Sequence, residues 1–122
     1  MAATESKIKS IAPQFLVADL ERALDFYMNK LGFETSFQYE DFYAGVIRDD
    51  QIIHLKLADL EDLPQPKGKD HLDVNCAVEG IEALYEECTS LAVEMRQPLR
   101  EMPYGREFYI ADPDGNVLGF VE

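Results

Sequence analysis

Phe15-Leu16-Val17-Ala18-Asp19-Leu20-Glu21-Arg22-Ala23-Leu24 recurs in outline, about 60 residues later, as Cys76-Ala77-Val78-Glu79-Gly80-Ile81-Glu82-Ala83-Leu84-Tyr85. In each copy an extended apolar run ends at a valine, an acidic step follows, and a helical pattern begins. Beyond the helical pattern the likeness continues, with Leu31-Gly32-Phe33-Glu34 parallel to Leu91-Ala92-Val93-Glu94. An offset of half the chain predicts two similar modules.

The first helix is predicted from Leu20, Ala23, Leu24, Tyr27, Met28 and Leu31, whose three- and four-residue spacing makes one apolar face. Asp19 suits its N-cap and Gly32 its C-terminal stop. Ile81, Leu84, Tyr85, Cys88 and Leu91 repeat the pattern in the second helix. Strand-like segments at 34–39, 42–48 and 52–57 follow the first helix, with Arg48-Asp49-Asp50-Gln51 as the turn between the last two. Segments 93–99, 107–111 and 117–121 form the matching set after the second. Each module therefore reads βαβββ, over about residues 8–58 and 70–122 of a single domain spanning 1–122. The connector 59–69, with Pro64, Pro66 and Gly68, breaks both periods. The fold class is α+β, a curved mixed sheet with helices on one face.

Alternation assigns faces. In His71-Leu72-Asp73-Val74-Asn75-Cys76, the residues Leu72, Val74 and Cys76 are expected to pack on a helix, and His71, Asp73 and Asn75 to face away. In Ile52-Ile53-His54-Leu55-Lys56-Leu57, the core face is Ile53, Leu55 and Leu57, and His54 lies opposite with Ile52 and Lys56. A sheet covered on one face leaves the other open to a ligand. The chain closes on Asp112-Pro113-Asp114-Gly115-Asn116 between apolar runs, which predicts a β-hairpin. Its acids resemble the start of a calcium loop, but the glycine stands fourth instead of sixth.

Composition bounds the function. The 122 residues are 47% hydrophobic, so the chain can build a core, and none of its apolar runs approaches a membrane span. The segment Met1–Lys9 lacks an apolar signal region, so a cytoplasmic location is expected. A net charge of −13 repels nucleic acid and anionic membrane and favours a cationic or neutral ligand. Cys76 and Cys88 fall on apolar positions and are expected to be buried free thiols. Phosphate-binding glycine loops, nucleophile elbows and Cys-x-x-Cys pairs are absent from the sequence.

The paired βαβββ pattern, with Val17-Ala18-Asp19-Leu20, Phe26-Tyr27 and Leu31-Gly32-Phe33, resembles the vicinal oxygen chelate superfamily of glyoxalases, dioxygenases and bleomycin-resistance proteins. Glu40-Asp41-Phe42-Tyr43-Ala44-Gly45-Val46-Ile47-Arg48-Asp49-Asp50, Gly80-Ile81-Glu82-Ala83-Leu84-Tyr85-Glu86-Glu87 and Tyr104-Gly105-Arg106-Glu107-Phe108 are similar to the bleomycin-resistance branch. The four metal-ligand positions of the metal-using relatives fall on Ala12, His54, Asp73 and Gly119, and two of these have no donor side chain. The resemblance therefore implies a protein without metal, cofactor or catalytic residues. It would sequester a bleomycin-like or other cationic or aromatic small molecule, in clefts built by strand exchange in a homodimer. Pro13 stands near that exchange. Tyr43 and Tyr104 match positions that carry cleft aromatics, and Asp41 lies beside Tyr43. His54, Asp73 and Asn75 join this ligand-binding set by strand parity. Asn75 stands where the family often has tryptophan, and this chain has none. Two alternatives stay open. One is a metal-dependent glyoxalase- or dioxygenase-like enzyme, for which His54, His71 and Asp73 supply the composition of a facial triad. The other is a dimeric scaffold without a ligand.

Overall fold

A computed structural model describes residues 5–122. The order is β1 (Gln14–Val17), α1 (Leu20–Asn29), β2 (Glu34–Tyr39), β3 (Tyr43–Arg48) and β4 (Gln51–Leu57). A single 3-10 turn at Leu60–Asp62 leads to β5 (Val74–Ala77), α2 (Ile81–Ser90), β6 (Glu94–Met102), β7 (Gly105–Ala111) and β8 (Val117–Val121). Both modules are βαβββ, as the repeat predicts. The strands form two four-stranded mixed sheets, ordered β1-β4-β3-β2 and β5-β8-β7-β6. In each, the strand before the helix pairs in parallel with the last strand of its module. The remaining pairs are antiparallel. None of the described helices is long and apolar enough to cross a membrane.

The local signals act as their chemistry requires. Asp19 adopts an extended backbone and its carboxylate accepts the Arg22 amide, capping α1. Gly32, at φ 71°, turns the chain out of the helix. The β3–β4 hairpin turns on Asp49 and Asp50, both at positive φ (51° and 66°), the backbone that matches the twist of a two-residue hairpin.

Phe15, Val17, Leu24 and Tyr27 from the first module share one buried cluster with Ile81, Phe108, Leu118 and Phe120 from the second. Ala44, Val46, Ile53 and Leu55 lie in it, so β3 and β4 turn one face to the core. Three expectations need correction. Met28 and Leu91, placed on the buried helix faces by spacing, are 42% and 38% exposed, because both sit where their helix ends. Leu57 is likewise half exposed at the end of β4. Leu72 lies just before β5, where strand alternation has not begun. Its side chain covers Gly119, whose neighbours Leu118 and Phe120 face the core, so Leu72 lies on the sheet face away from the core. Both cysteines are free thiols; Cys88 is buried and Cys76 partly so. Burial, helped by Glu87, pushes the Cys88 thiol up to about 11.

Candidate functional site

On the face of the first sheet turned from the core, Gly45 lies directly opposite His54. Gly45 also pairs with Phe37 on β2. The missing side chain makes room: a Cβ at Gly45 would come within 2.1 Å of the Phe37 ring. Phe37 stacks near-parallel to Tyr43, with ring centroids 6.2 Å apart, and meets His54 edge-on at 5.3 Å. Tyr39 extends the aromatic row from Phe37 and is 61% exposed. The Tyr43 hydroxyl donates to Gln14 Oε1 at 2.9 Å and lies 2.9 Å from His54 Nδ1. Strands β1, β2, β3 and β4 thus all contribute to one aromatic and amide surface.

Asp73 stands at the seam between the modules. One oxygen accepts the Val117 amide at 2.8 Å, and the other lies 2.9 Å from His71 Nε2. Burial would raise this carboxyl, but the Val117 amide and His71 outweigh it and hold the group below its ordinary value. Asp73, Lys67 and Asn116 line an open cleft of about 350 Å³ together with Gln14 and Leu16 of β1. Through Gln14, which bonds Tyr43, this cleft adjoins the aromatic surface.

The structure therefore brings Tyr43 and His54 into contact and sets Asp73 across the seam from their partner Gln14. The other three expected residues stand apart. Asn75 is exposed on β5 opposite Gly119. Asp41 is exposed in the β2–β3 turn, and Tyr104 is 63% exposed in the β6–β7 turn. Phe37 and Gln14 escape the sequence reading because nothing local marks their face; a bulge between Thr35 and Phe37 breaks the alternation of β2.

A further cluster on the second sheet also went unanticipated. Glu107 is 4% exposed on β7, opposite Arg100 of β6. Its Oε2 accepts from Arg100 Nε at 2.9 Å, Arg100 Nη2 at 2.6 Å and the Tyr109 hydroxyl at 3.0 Å. Its Oε1 accepts the Tyr104 hydroxyl at 2.5 Å. Burial pushes this carboxyl up, but the Tyr104, Arg100 and Tyr109 donors more than offset it and hold it low. A glutamate directly before the apolar run Phe108–Ala111 was the available signal.

The four metal-ligand positions do not fit a metal centre. Ala12 has no donor. A Cβ at Gly119 would meet Leu72 Cδ1 at 2.6 Å, so that position is filled by an apolar side chain. Both Asp73 oxygens are engaged, as is His54 Nδ1. His54, His71 and Asp73 do not form a triad either: among the described residues, the close group of potential ligands is Asp59, Glu61 and Asp62, all exposed.

Residues 7–120 match the model of the Glyoxalase/Bleomycin resistance protein/Dioxygenase superfamily. The chain is 30% identical to the bleomycin resistance protein of Geobacillus stearothermophilus over 124 aligned positions, covering 90% of this chain and 93% of that protein. Its fold is similar to that of the bleomycin-binding protein of Streptomyces verticillus complexed with copper(II)-bleomycin. There the TM-score is 0.71 and the identity 27%, over 95% of this chain and 97% of the other. A superfamily member from Sphaerobacter thermophilus matches with a TM-score of 0.72 and 30% identity, over 94% and 98% of the two chains. The repeated βαβββ modules and these matches agree, and the chain belongs to the Glyoxalase/Bleomycin resistance protein/Dioxygenase superfamily.

Proposed function

We propose that the protein, as a single domain, binds and sequesters a bleomycin-like or other cationic or aromatic small molecule without chemical conversion. The observation that carries this reading is the aromatic face of the first sheet. Phe37, Tyr39, Tyr43 and His54 turn ring surface away from the core. Such rings stack on planar groups and attract cations. The resistance-protein relatives at 30% identity and the net charge of −13 point the same way.

The binding cleft belongs to a homodimer in this proposal. Ile8 and Ile11 support it, being 81% and 87% exposed in the segment before β1, which has no regular secondary structure. Apolar side chains in that state favour burial against a second copy. The ligand-facing set is Tyr43 and His54 with Asp73 at the seam, joined across the dimer by Asp41, Asn75 and Tyr104.

Titration calorimetry with metal-free bleomycin, alongside sedimentation at micromolar concentration, tests both parts. Saturable heat at one site per chain and a dimeric mass are expected. A lack of heat removes bleomycin-like ligands, and a monomeric mass removes the shared cleft.

A further inference from the structure

Tyr104 combines two properties that seldom occur together. The residue is 63% exposed, in the two-residue turn Pro103–Tyr104 between β6 and β7. Yet its hydroxyl is bound at 2.5 Å to a carboxylate that is itself 4% exposed. That carboxylate cannot swing, because Arg100 grips its second oxygen through two nitrogens and the Tyr109 hydroxyl donates to the same oxygen. Arg100 is held in turn by Gln97, and its guanidinium lies 5.6 Å from the centre of the Tyr109 ring. A surface tyrosine ordinarily samples several rotamers and loses that freedom when a ligand stacks on it. Here the far end of the ring is pinned beforehand, while the ring face stays open.

We propose that Glu107 is a positioning residue, which through the Tyr104 hydroxyl holds the Tyr104 ring as a preformed platform for a planar, π-faced group of the ligand. The inference rests on the binding reading above and assigns Glu107 no contact with the ligand. Arg100 and Tyr109 act one step further back, fixing the carboxylate.

The test uses the full chain, metal-free bleomycin as the probe, and the variants Tyr104→Phe, Glu107→Gln and their double. Tyr104→Phe keeps the ring and removes only the tether. It should weaken bleomycin binding about three- to tenfold, the effect of one side chain that must order on binding, in a chain that is still folded at the assay temperature although the lost donor to the buried Glu107 carboxylate lowers its melting temperature. Glu107→Gln should weaken binding by itself but add nothing in the Tyr104→Phe background. The hydrogen bond to Glu107 raises the Tyr104 hydroxyl above its ordinary value, so Glu107→Gln should also move the tyrosinate absorbance assigned to Tyr104 to lower pH. Affinity unchanged in Tyr104→Phe overturns the platform. An equal loss from Glu107→Gln with and without the Tyr104 hydroxyl shows that Glu107 acts elsewhere, and also overturns it. A wild type that does not bind bleomycin removes the function proposed above, and the titration then decides the tether: an unshifted Tyr104 overturns it.

Discussion

Asp112 gathers the most demanding chemistry of any single residue here. It is 3% exposed, and its carboxylate accepts from the Asp114 and Asn116 amides, Asn116 Nδ2 and the Tyr27 hydroxyl. Burial still wins and raises the group above its ordinary value. Tyr27→Phe takes one donor from a buried carboxylate and should destabilise the fold by about 1.5–3 kcal/mol, read from the midpoint of urea unfolding. Asp73 has the opposite sign. Its carboxyl is held lower in the folded than in the unfolded chain, so its stabilisation is fully present above the ordinary carboxylate range. That stabilisation is lost as pH falls through the folded value. Asp73→Asn should therefore flatten the decline of melting temperature on acidification below about pH 4, the unfolded carboxylate range. Asp112 works against that decline, because lowering the pH relieves its raised carboxyl.

At the scale of elements, the Phe37–Gly45 contact is the most sensitive. Gly45→Ala would put a methyl where the Phe37 ring lies, so the ring must leave its place beside Tyr43 and His54. The backbone at Gly45 does not require glycine, and the displaced ring stands on the open face. Bleomycin affinity should fall further than stability, and the ring-current shift on the His54 protons should collapse in the NMR spectrum. An unmoved His54 signal would show that the ring stays. Elements were legible where periodicity is long and local: the helix spacing, the Asp19 cap and the alternation of β4 all emerged from the sequence. Faces failed at element ends, as at Met28, Leu57, Leu72 and Leu91, where the period has no neighbour to enforce it. The site was half legible. Tyr43 and His54 carry a face assignment through β3 and β4, whereas Phe37 is moved by a bulge and Glu107 is explained only by its partner Arg100 across the hairpin.

For the whole molecule, an excess of 13 negative charges should draw a cationic ligand from a distance. If bleomycin is the ligand, rising salt should slow its association more than it speeds dissociation, since steering acts on the encounter and a Debye length of about 8 Å at physiological salt already trims the field. Asp41→Asn should lower both affinity and salt dependence in stopped-flow measurements. Rates that are flat from low to high salt would point to a neutral aromatic ligand held by stacking. What the sequence could not display at this scale is the joining of the modules. Ala18 N–H and Arg22 reach Asp114, Tyr27 reaches Asp112, and Asn116 Nδ2 donates to the Leu16 carbonyl, across separations of 85 to 100 residues. No local pattern encodes contacts that distant. They also set an order of events at the ribosome. The N-terminal half emerges first, and protein segments generally fold as they appear. Here, however, the partners that finish the β1–α1 junction lie 85 to 100 residues further along and are translated long after it. Until Asp112 and Asp114 have emerged, the Tyr27 hydroxyl and the Ala18 amide lack these partners. A premature stop before Asp112 would thus spoil the beginning of the protein as surely as its end.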